Sequence, residues 1–362
     1  SESRLARLQV VVRPRVDADV RFDVKALEQK IVEAVRSWRD ELRAILVEKH
    51  GEEKGLKAAE RFGRAFPEAY KEDISPWVAA FDVENAAAVD RGADLRMSLY
   101  RPRKPRGGII RFKVFRKGAP IPLSDILPML ENLGLHIVNE RPYELQLTEE
   151  ESLWIQDFDM IPAVQRELDL DIIRGLFQDA FEKTLRGETD SDGFNRLVIA
   201  AQMTWRQVKI LRAYCKYLLQ TGVPFSLNYM ADTLAAHPAI ARLLVELFEA
   251  SFDPARDSES DYRKELASRR LERRFEVLMS EEKAGDGVLS EYVGEMVVAR
   301  QKHRDDQVRA IRRAFKRALE TVASLDEDRI LLAYYRVIRA TLRTSYFQTD
   351  PEGGPKEHIS FK

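Results

Sequence analysis

Residues 5–13, Leu-Ala-Arg-Leu-Gln-Val-Val-Val-Arg, set Leu8, Val10 and Val12 against Arg7, Gln9 and Arg13, the period-two alternation of a half-buried strand. Pro14 ends it. The period then changes. Leu27, Ile31, Val35, Trp38, Leu42 and Ile45 recur every three or four residues, which is one stripe on a helix, closed by Gly51. Two shorter helical stretches follow at about 54–63 and 76–90, the second opened by Ser75 before Pro76. Alternation returns at Leu95, Met97 and Leu99, and again at Ile110, Phe112 and Val114. This predicts a hairpin across the loop 101–108. Gly118 to Pro122 turns the chain, Ser124 is placed to cap a helix running to Glu131, and Gly134 stops it. Leu135–Val138, Tyr143–Leu147 and Leu153–Phe158 complete the strands. The order is strand, helix with a helical insertion at about 50–90, two strands, helix, strand. The fold class expected is α+β, with a ferredoxin-like βαββαβ module over residues 1–160.

Residues 161–362 read as a second, mostly helical domain. Leu168, Ile172, Leu176, Ala180 and Leu185 form a stripe ended by Gly187. Thr204 with Gln207 forms a capping box for a helix carrying Val208, Leu211, Cys215 and Leu218. Pro238 opens a helix through Leu244 and Phe248. Residues 259–283 and 304–323 are charge-dense and predict an antiparallel helix pair, with Gly285-Asp-Gly287 as the loop between. Ser324 and Glu327 open a last helix containing Ile330, Tyr334, Val337 and Leu342. At the end, Ile359 and Phe361 begin a strand-like alternation. It reads as a short edge strand or, with more weight, as the opening of a further domain.

Composition sharpens this picture in two places. Lys plus Arg number 59 and Asp plus Glu 60, a net charge of -1, which argues against a generally basic nucleic-acid binder. A single cysteine, Cys215, excludes an intrachain disulfide and a cysteine-built zinc site, and fits a reducing, cytoplasmic setting. No apolar run is long enough to span a membrane.

The sequence offers little chemistry. No G-x-G-x-x-G follows a strand, and there is no G-x-x-x-x-G-K-[ST], H-E-x-x-H or G-x-S-x-G. His50, His136, His237, His303 and His358 are not spaced as metal ligands, and Cys215 lies on an apolar stripe as an inert thiol. Asp157 and Asp159 project to one face of their strand and could serve a proton or a cation, or simply end a solvated strand. The basic hairpin is the most unusual local feature: Arg101, Arg103, Lys104, Arg106, Arg111, Lys113, Arg116 and Lys117, with Phe112 and Phe115 interleaved. Such a surface contacts nucleic acid or an acidic partner, or blocks a sheet edge.

The ordered segments Ala65-Phe-Pro-Glu-Ala-Tyr-Lys71, Pro122 to Gly134, Asn139-Glu-Arg-Pro-Tyr143, Gly193-Phe-Asn-Arg-Leu197, Leu211 to Leu218, Phe252-Asp-Pro254, Ser324 to Leu331, Ala340 to Thr344, Tyr346-Phe-Gln348 and Ser360-Phe-Lys362 resemble the large bacterial NAD-dependent glutamate dehydrogenases. The resemblance runs from about residue 5 to the end. It implies an ACT-like module and a helical region that ends just before the catalytic domain, in an enzyme that oxidises L-glutamate to 2-oxoglutarate and ammonia with NAD. It implies no catalytic, cofactor-binding or metal-binding residue within these positions; NAD belongs to the full-length enzyme. The partners implied are the remaining domains, other subunits of a homo-oligomer, and an amino-acid effector. Turns of this kind expose backbone N–H groups to a carboxylate, so the effector-loop candidates are Asp17 and Asp19 in one turn and Gly118, Ser124 and Asp125 in the other. The alternative reading is a binding module acting through Arg101, Arg103, Lys104 and Arg106.

Overall fold

The computed structural model describes residues 37–102, 108–164, 168–279 and 286–362, with backbone alone at 286–289. The strand expected at 5–13 and the first half of the Leu27–Ile45 stripe lie outside these residues. The described chain divides into two compact units, one made of residues up to Ala88 with Leu145–Glu151, the other of Val89–Glu144 with Ser152–Lys362.

In the first unit, α1 (Trp38–His50) starts where the Ser37 side chain accepts the Asp40 N–H, and its acidic first turn and basic last turn suit the helix dipole. It buries Leu42 and Leu46 against α2 (Glu52–Phe62). The helices meet closely at Gly55, where a Cβ would strike the Leu46 carbonyl oxygen and the Val47 Cα at 2.5 Å. Only glycine allows that approach. A short helix absent from the sequence reading, α3 (Glu68–Asp73), brings Tyr70 onto Phe66 at 4.5 Å, with Trp38 edge-on to Phe66 at 5.4 Å. The longest helix of the unit, α4, spans Pro76–Asp90.

The second unit holds one sheet with strands β1 (Arg96–Tyr100), β2 (Ile110–Lys117), β3 (Leu135–Gln146) and β4 (Ser152–Pro162), ordered β1-β2-β4-β3. β2 is antiparallel to both its neighbours; Phe112 stands opposite Leu99 on one side and Phe158 on the other. The hairpin is therefore in the register the alternation predicted. The two stretches expected around 135–147 are one strand. Pro142 is tolerated there because β3 is an edge strand, the place in a sheet where proline is accommodated.

Helices α5 (Leu123–Asn132) and α6 (Leu170–Leu185) cover one face. Phe112 lies 4.9 Å from Phe177 and 5.1 Å from Phe181, edge to face, and Ile126 and Leu130 join the same core. This differs from the expected order. Within the described residues the chain runs ββαββα, and the second helix of the sandwich is α6, which the sequence reading placed in the helical domain. Counted from β2, the elements follow the ferredoxin-like order, with β1 at the sheet edge where a final strand would lie. An apolar stripe records that α6 is buried on one side; it does not record against what.

The helical region continues through α7 (Leu197–Ala200), α8 (Trp205–Gln220), α9 (Leu227–Ala236), α10 (Pro238–Phe252), α11 (Asp261–Met279), α12 (Asp286–Ala299), α13 (Arg304–Leu319) and α14 (Leu325–Ala340). The Thr204–Gln207 capping box forms as expected. α10 is buried nearly all round, the signature of a central helix. The expected pairing of the two charge-dense helices is replaced: α12 packs against both α11 and α13, and Gly287 belongs to α12 rather than to a loop. Leu342 was expected inside the last helix. α14 ends at Ala340, and Leu342 is 78% exposed. The final alternation pairs upstream: Thr344 bridges Phe361, and the Lys362 N–H donates to the Arg343 carbonyl at 3.0 Å. Phe361 then packs 4.6 Å from Tyr214 and 5.5 Å from Tyr217.

Candidate functional site

The loop after β2 does not form as the capped turn expected. Gly118, at φ +87°, donates its N–H to the Ser152 carbonyl at 3.1 Å, and its own carbonyl accepts from Trp154 Nε1 at 3.1 Å. The helix cap is Pro122, which makes no side-chain bond. Ser124 therefore lies inside the first turn, exposed, with its hydroxyl donating to Asp125 Oδ1 at 3.0 Å. Asp17 and Asp19 lie outside the described residues. A cleft of about 550 Å³ is lined by Gly92, Asp94, Arg116, Lys117 and Arg186, and none of Gly118, Ser124 and Asp125 lines it. It adjoins the C-terminal end of α6, where Arg186 complements the carbonyl end of the helix. Arg186 is already engaged with Glu182 at 2.9 Å.

Of the basic hairpin, Arg101, Arg111 and Lys113 serve the structure. Arg101 donates to the Leu168 carbonyl at 3.2 Å. Lys113 is fully buried, with its ammonium 5.7 Å from the Tyr100 ring centre. Arg111 points to the second face of the sheet. Arg103, Lys104 and Arg106 lie outside the described residues.

That second face holds the most organised charged site of the module. Period-two alternation puts Arg111 and Lys113 of β2 beside Asp159 and Asp157 of β4, their direct cross-strand partners. Asp159 accepts from Arg111 Nε at 2.8 Å and from Arg141 Nη2 at 2.7 Å. Asp157 is fully buried, with Arg111 Nη1 at 3.8 Å and Arg141 Nη2 at 4.0 Å. Burial alone would lower the pKa of Arg111, but Asp157 first, then Tyr100 and Asp159, raise it above the ordinary guanidinium value. Arg141 is likewise raised, against the pull of burial, by its bond to Asp159 and by Asp157. The pair Asp157 and Asp159 thus shares one face, as the spacing predicted. It does not end a solvated strand; it locks two arginines across three strands. Asp159, hydrogen-bonded to both guanidinium groups, makes a rigid, oriented patch with them, and Asp157 adds a buried carboxylate beside it.

The helical region contains two further networks. Arg212 on α8 donates to Asp192 through Nε at 2.7 Å and Nη2 at 2.8 Å, and to Asn195 Oδ1 at 2.5 Å. Asp192 also caps the turn Gly193–Arg196 by accepting the Phe194 N–H. Lys216 and the nearby arginine hold the Asp190 carboxyl below its ordinary value. The second network joins α8, α10, α13 and the turn Pro254–Asp257 through Gln207, Arg242, Glu246, Gln307 and Arg256. Burial pushes the Glu246 pKa up, but Arg242 and Arg256 more than reverse this and bring it down to about 2. Sequence reasoning missed both networks. The available signal was an arginine set within an apolar stripe, as Arg242 is between Ile240 and Leu243, with Glu246 four residues on. Cys215 is buried, with Met230 Sδ at 3.6 Å, and burial raises its thiol pKa. This is the inert environment expected for it. Among the described residues no cluster of metal-ligating side chains occurs, and no helix is long and apolar enough to cross a membrane.

Comparison with known proteins places these elements. Glutamate dehydrogenase profiles match in order along the chain: the ACT2 domain at residues 1–39, helical motif 2 at 45–89, the ACT3 domain at 94–173 and helical motif 3 at 189–254. The catalytic domain of bacterial NAD-glutamate dehydrogenase matches at 314–362. The chain belongs to the NAD-specific glutamate dehydrogenase family. It is 39% identical over its whole length to the NAD-specific glutamate dehydrogenase of Halomonas elongata, and 34% to that of Pseudomonas aeruginosa. The enzyme of Mycobacterium tuberculosis is 30% identical over 88% of the chain. The chain spans about 20% of the length of the first two relatives. The ACT3 match covers the whole four-stranded sheet and the start of α6, in agreement with the rotated strand order. Helical motif 3 contains both Arg212 and Arg242, and the catalytic-domain match begins within α13.

Proposed function

We propose that the chain is the regulatory and assembly segment of an NAD-dependent glutamate dehydrogenase. The complete enzyme would convert L-glutamate and NAD to 2-oxoglutarate, ammonia and NADH in the cytoplasm. The observation that carries this reading is the ordered run of ACT and helical motifs leading into a catalytic-domain match. The buried ion pairs support it, because they fix helices and strands relative to each other within this unit. The strand-to-helix turn at Gly118–Leu123 lacks the glycine-rich fingerprint of a dinucleotide site, so no residue is assigned to NAD and no step is derived through it. Regulation would act through the segment's contacts with the remaining domains and with other subunits; a coupling of about 1–3 kcal/mol suffices.

Calorimetry of the 362-residue chain with a panel of amino acids tests the effector component, and saturable heat with one of them is the expected result. Loss of that heat in Asp125→Ala would assign it to the loop after β2. Sedimentation of the full-length enzyme with and without residues 1–173 tests the assembly component, and a smaller oligomer on deletion is expected. No heat with any amino acid together with an unchanged oligomer would overturn the reading.

A further inference from the structure

Where the sheet module meets the helical region, a cavity of about 280 Å³ is walled by Leu133, Val164, Ile199 and Ala236, and Arg196 and Asp232 line it as well. Leu133 and Val164 belong to the ACT3 match and the other four to helical motif 3. Arg196 and Asp232 keep 36% and 52% of their side chains in water, which sets them at the mouth. The arginine is held in place. Its Nε donates to the Gly193 carbonyl at 3.1 Å and its Nη2 to Asp232 Oδ1. Gly193 leaves room for this fold-back, since a Cβ there would stand 2.7 Å from Nη2, and the stem lies over Gly134, where a Cβ would meet Arg196 Cγ at 3.5 Å. Arg196 Nη1 and Asp232 Oδ2 make no hydrogen bond among the described residues. An unused donor of a cation and an unused acceptor of a carboxylate thus stand next to each other over an apolar space. That combination rejects a plain carboxylate through Asp232 and a plain amine through Arg196, and accepts a group that carries both charges. α5 and α9 also end at the cavity, and the carbonyl ends of helices favour a positive group. The volume falls at the bottom of the range of about 300–1,000 Å³ usual for ligand pockets, which suits one small molecule and not a dinucleotide.

We propose that this cavity binds a free α-amino acid with a short apolar side chain. The ligand carboxylate takes Arg196 Nη1, its ammonium takes Asp232 Oδ2, and its side chain enters between Leu133, Val164 and Ile199. The binding follows from the cavity; its regulatory role rests on the reading proposed above, to which it adds a place and a ligand class. An occupant touches the sheet module and the helical region at once, so it would tighten their packing.

Calorimetry of the 362-residue chain with L-valine and L-leucine tests it, with 4-methylpentanoate and 3-methylbutylamine as the leucine analogues that lack the ammonium and the carboxylate. Saturable binding of at least one amino acid is expected, with each leucine analogue weaker than L-leucine by at least about tenfold. Ala236→Phe fills the cavity from an exposed position and should abolish binding while the thermal midpoint without ligand stays near that of wild type. Asp232→Asn keeps an acceptor for Arg196 but removes the charge. It should weaken the amino acid and strengthen 4-methylpentanoate relative to wild type, a reversal that a merely structural role would not produce. No binding of either amino acid, binding unchanged in Ala236→Phe, or 4-methylpentanoate binding as tightly as L-leucine to wild type would each overturn the proposal. Heat with an amino acid that survives Ala236→Phe but is lost in Asp125→Ala would overturn this site alone and leave the regulatory reading standing.

Discussion

On the sheet, Arg111 and Arg141 meet Asp159 from positions whose side chains keep 23% and 21% of their surface in water. In the helical region, Arg212, Arg242 and Arg256 keep 3%, 2% and 5%. The contrast follows from geometry. A cross-strand partner lies about 5 Å away on an open pleated face, so a long side chain can reach it while its stem stays near solvent. Between packed helices an arginine must lie along the interface, and every one of its donors then needs an acceptor. The sheet cluster is therefore tuned for orientation at modest cost. The helical networks are all-or-none structures, in which removing one member strands the others.

This comparison predicts a graded series. The largest effect is expected for Glu246→Ala, which leaves Arg242 and Arg256 without their shared carboxylate. A loss of about 3–5 kcal/mol is typical of a broken buried pair, measurable by urea denaturation. Because folding lowers the Glu246 pKa from 4.5 to about 2, its contribution is fully present above about pH 4.5. It is lost progressively as the pH falls toward 2. Glu246→Gln should remove that part of the acid sensitivity, and an unchanged acid profile would show that the network carries no charge-dependent stability. Asp159→Asn should cost less, about 1.5–3 kcal/mol for bonds to charged groups in a half-wet site. It should cost less in the presence of Arg141→Met, because the bond that the two residues share is already gone. Thr204→Ala removes one cap of α8 and should cost about 1 kcal/mol. At the far end, Lys57→Ala breaks an exposed ion pair with Glu53 and should leave the denaturation midpoint unmoved. If Asp159→Asn proved as costly as Glu246→Ala, the distinction between the two kinds of burial would fail.

Much of the architecture was legible in advance because it rests on local signals. The Thr204 capping box, the Pro238 start, the Gly134 stop and the hairpin register of β1 and β2 each depend on residues close in sequence. What failed depends on partners distant in sequence. α6 reads as an ordinary amphipathic helix; Phe112 against Phe177 and Phe181, with Arg174 and Gln178 donating to the Leu99 and Met97 carbonyls, shows that it belongs to the sheet. α12 was hidden because residues 286–299 are apolar on more than one side, lying between α11 and α13 with no single stripe. Leu342 matched the spacing of α14, but the chain leaves the helix at Thr341, whose hydroxyl bonds the Val337 carbonyl and Tyr214. The candidate site was half legible. Spacing placed Asp157 and Asp159 on one face, but their partner Arg141 lies on another strand, beyond what alternation within β4 can show.

The reading of this chain as a regulatory and assembly segment is tested most directly by steady-state NAD reduction with L-glutamate, measured on the full-length enzyme and on the purified 362-residue chain at equal molarity. The account predicts turnover by the full-length enzyme and none by the chain alone. Turnover by the chain alone, or a full-length enzyme inactive toward L-glutamate, would contradict it.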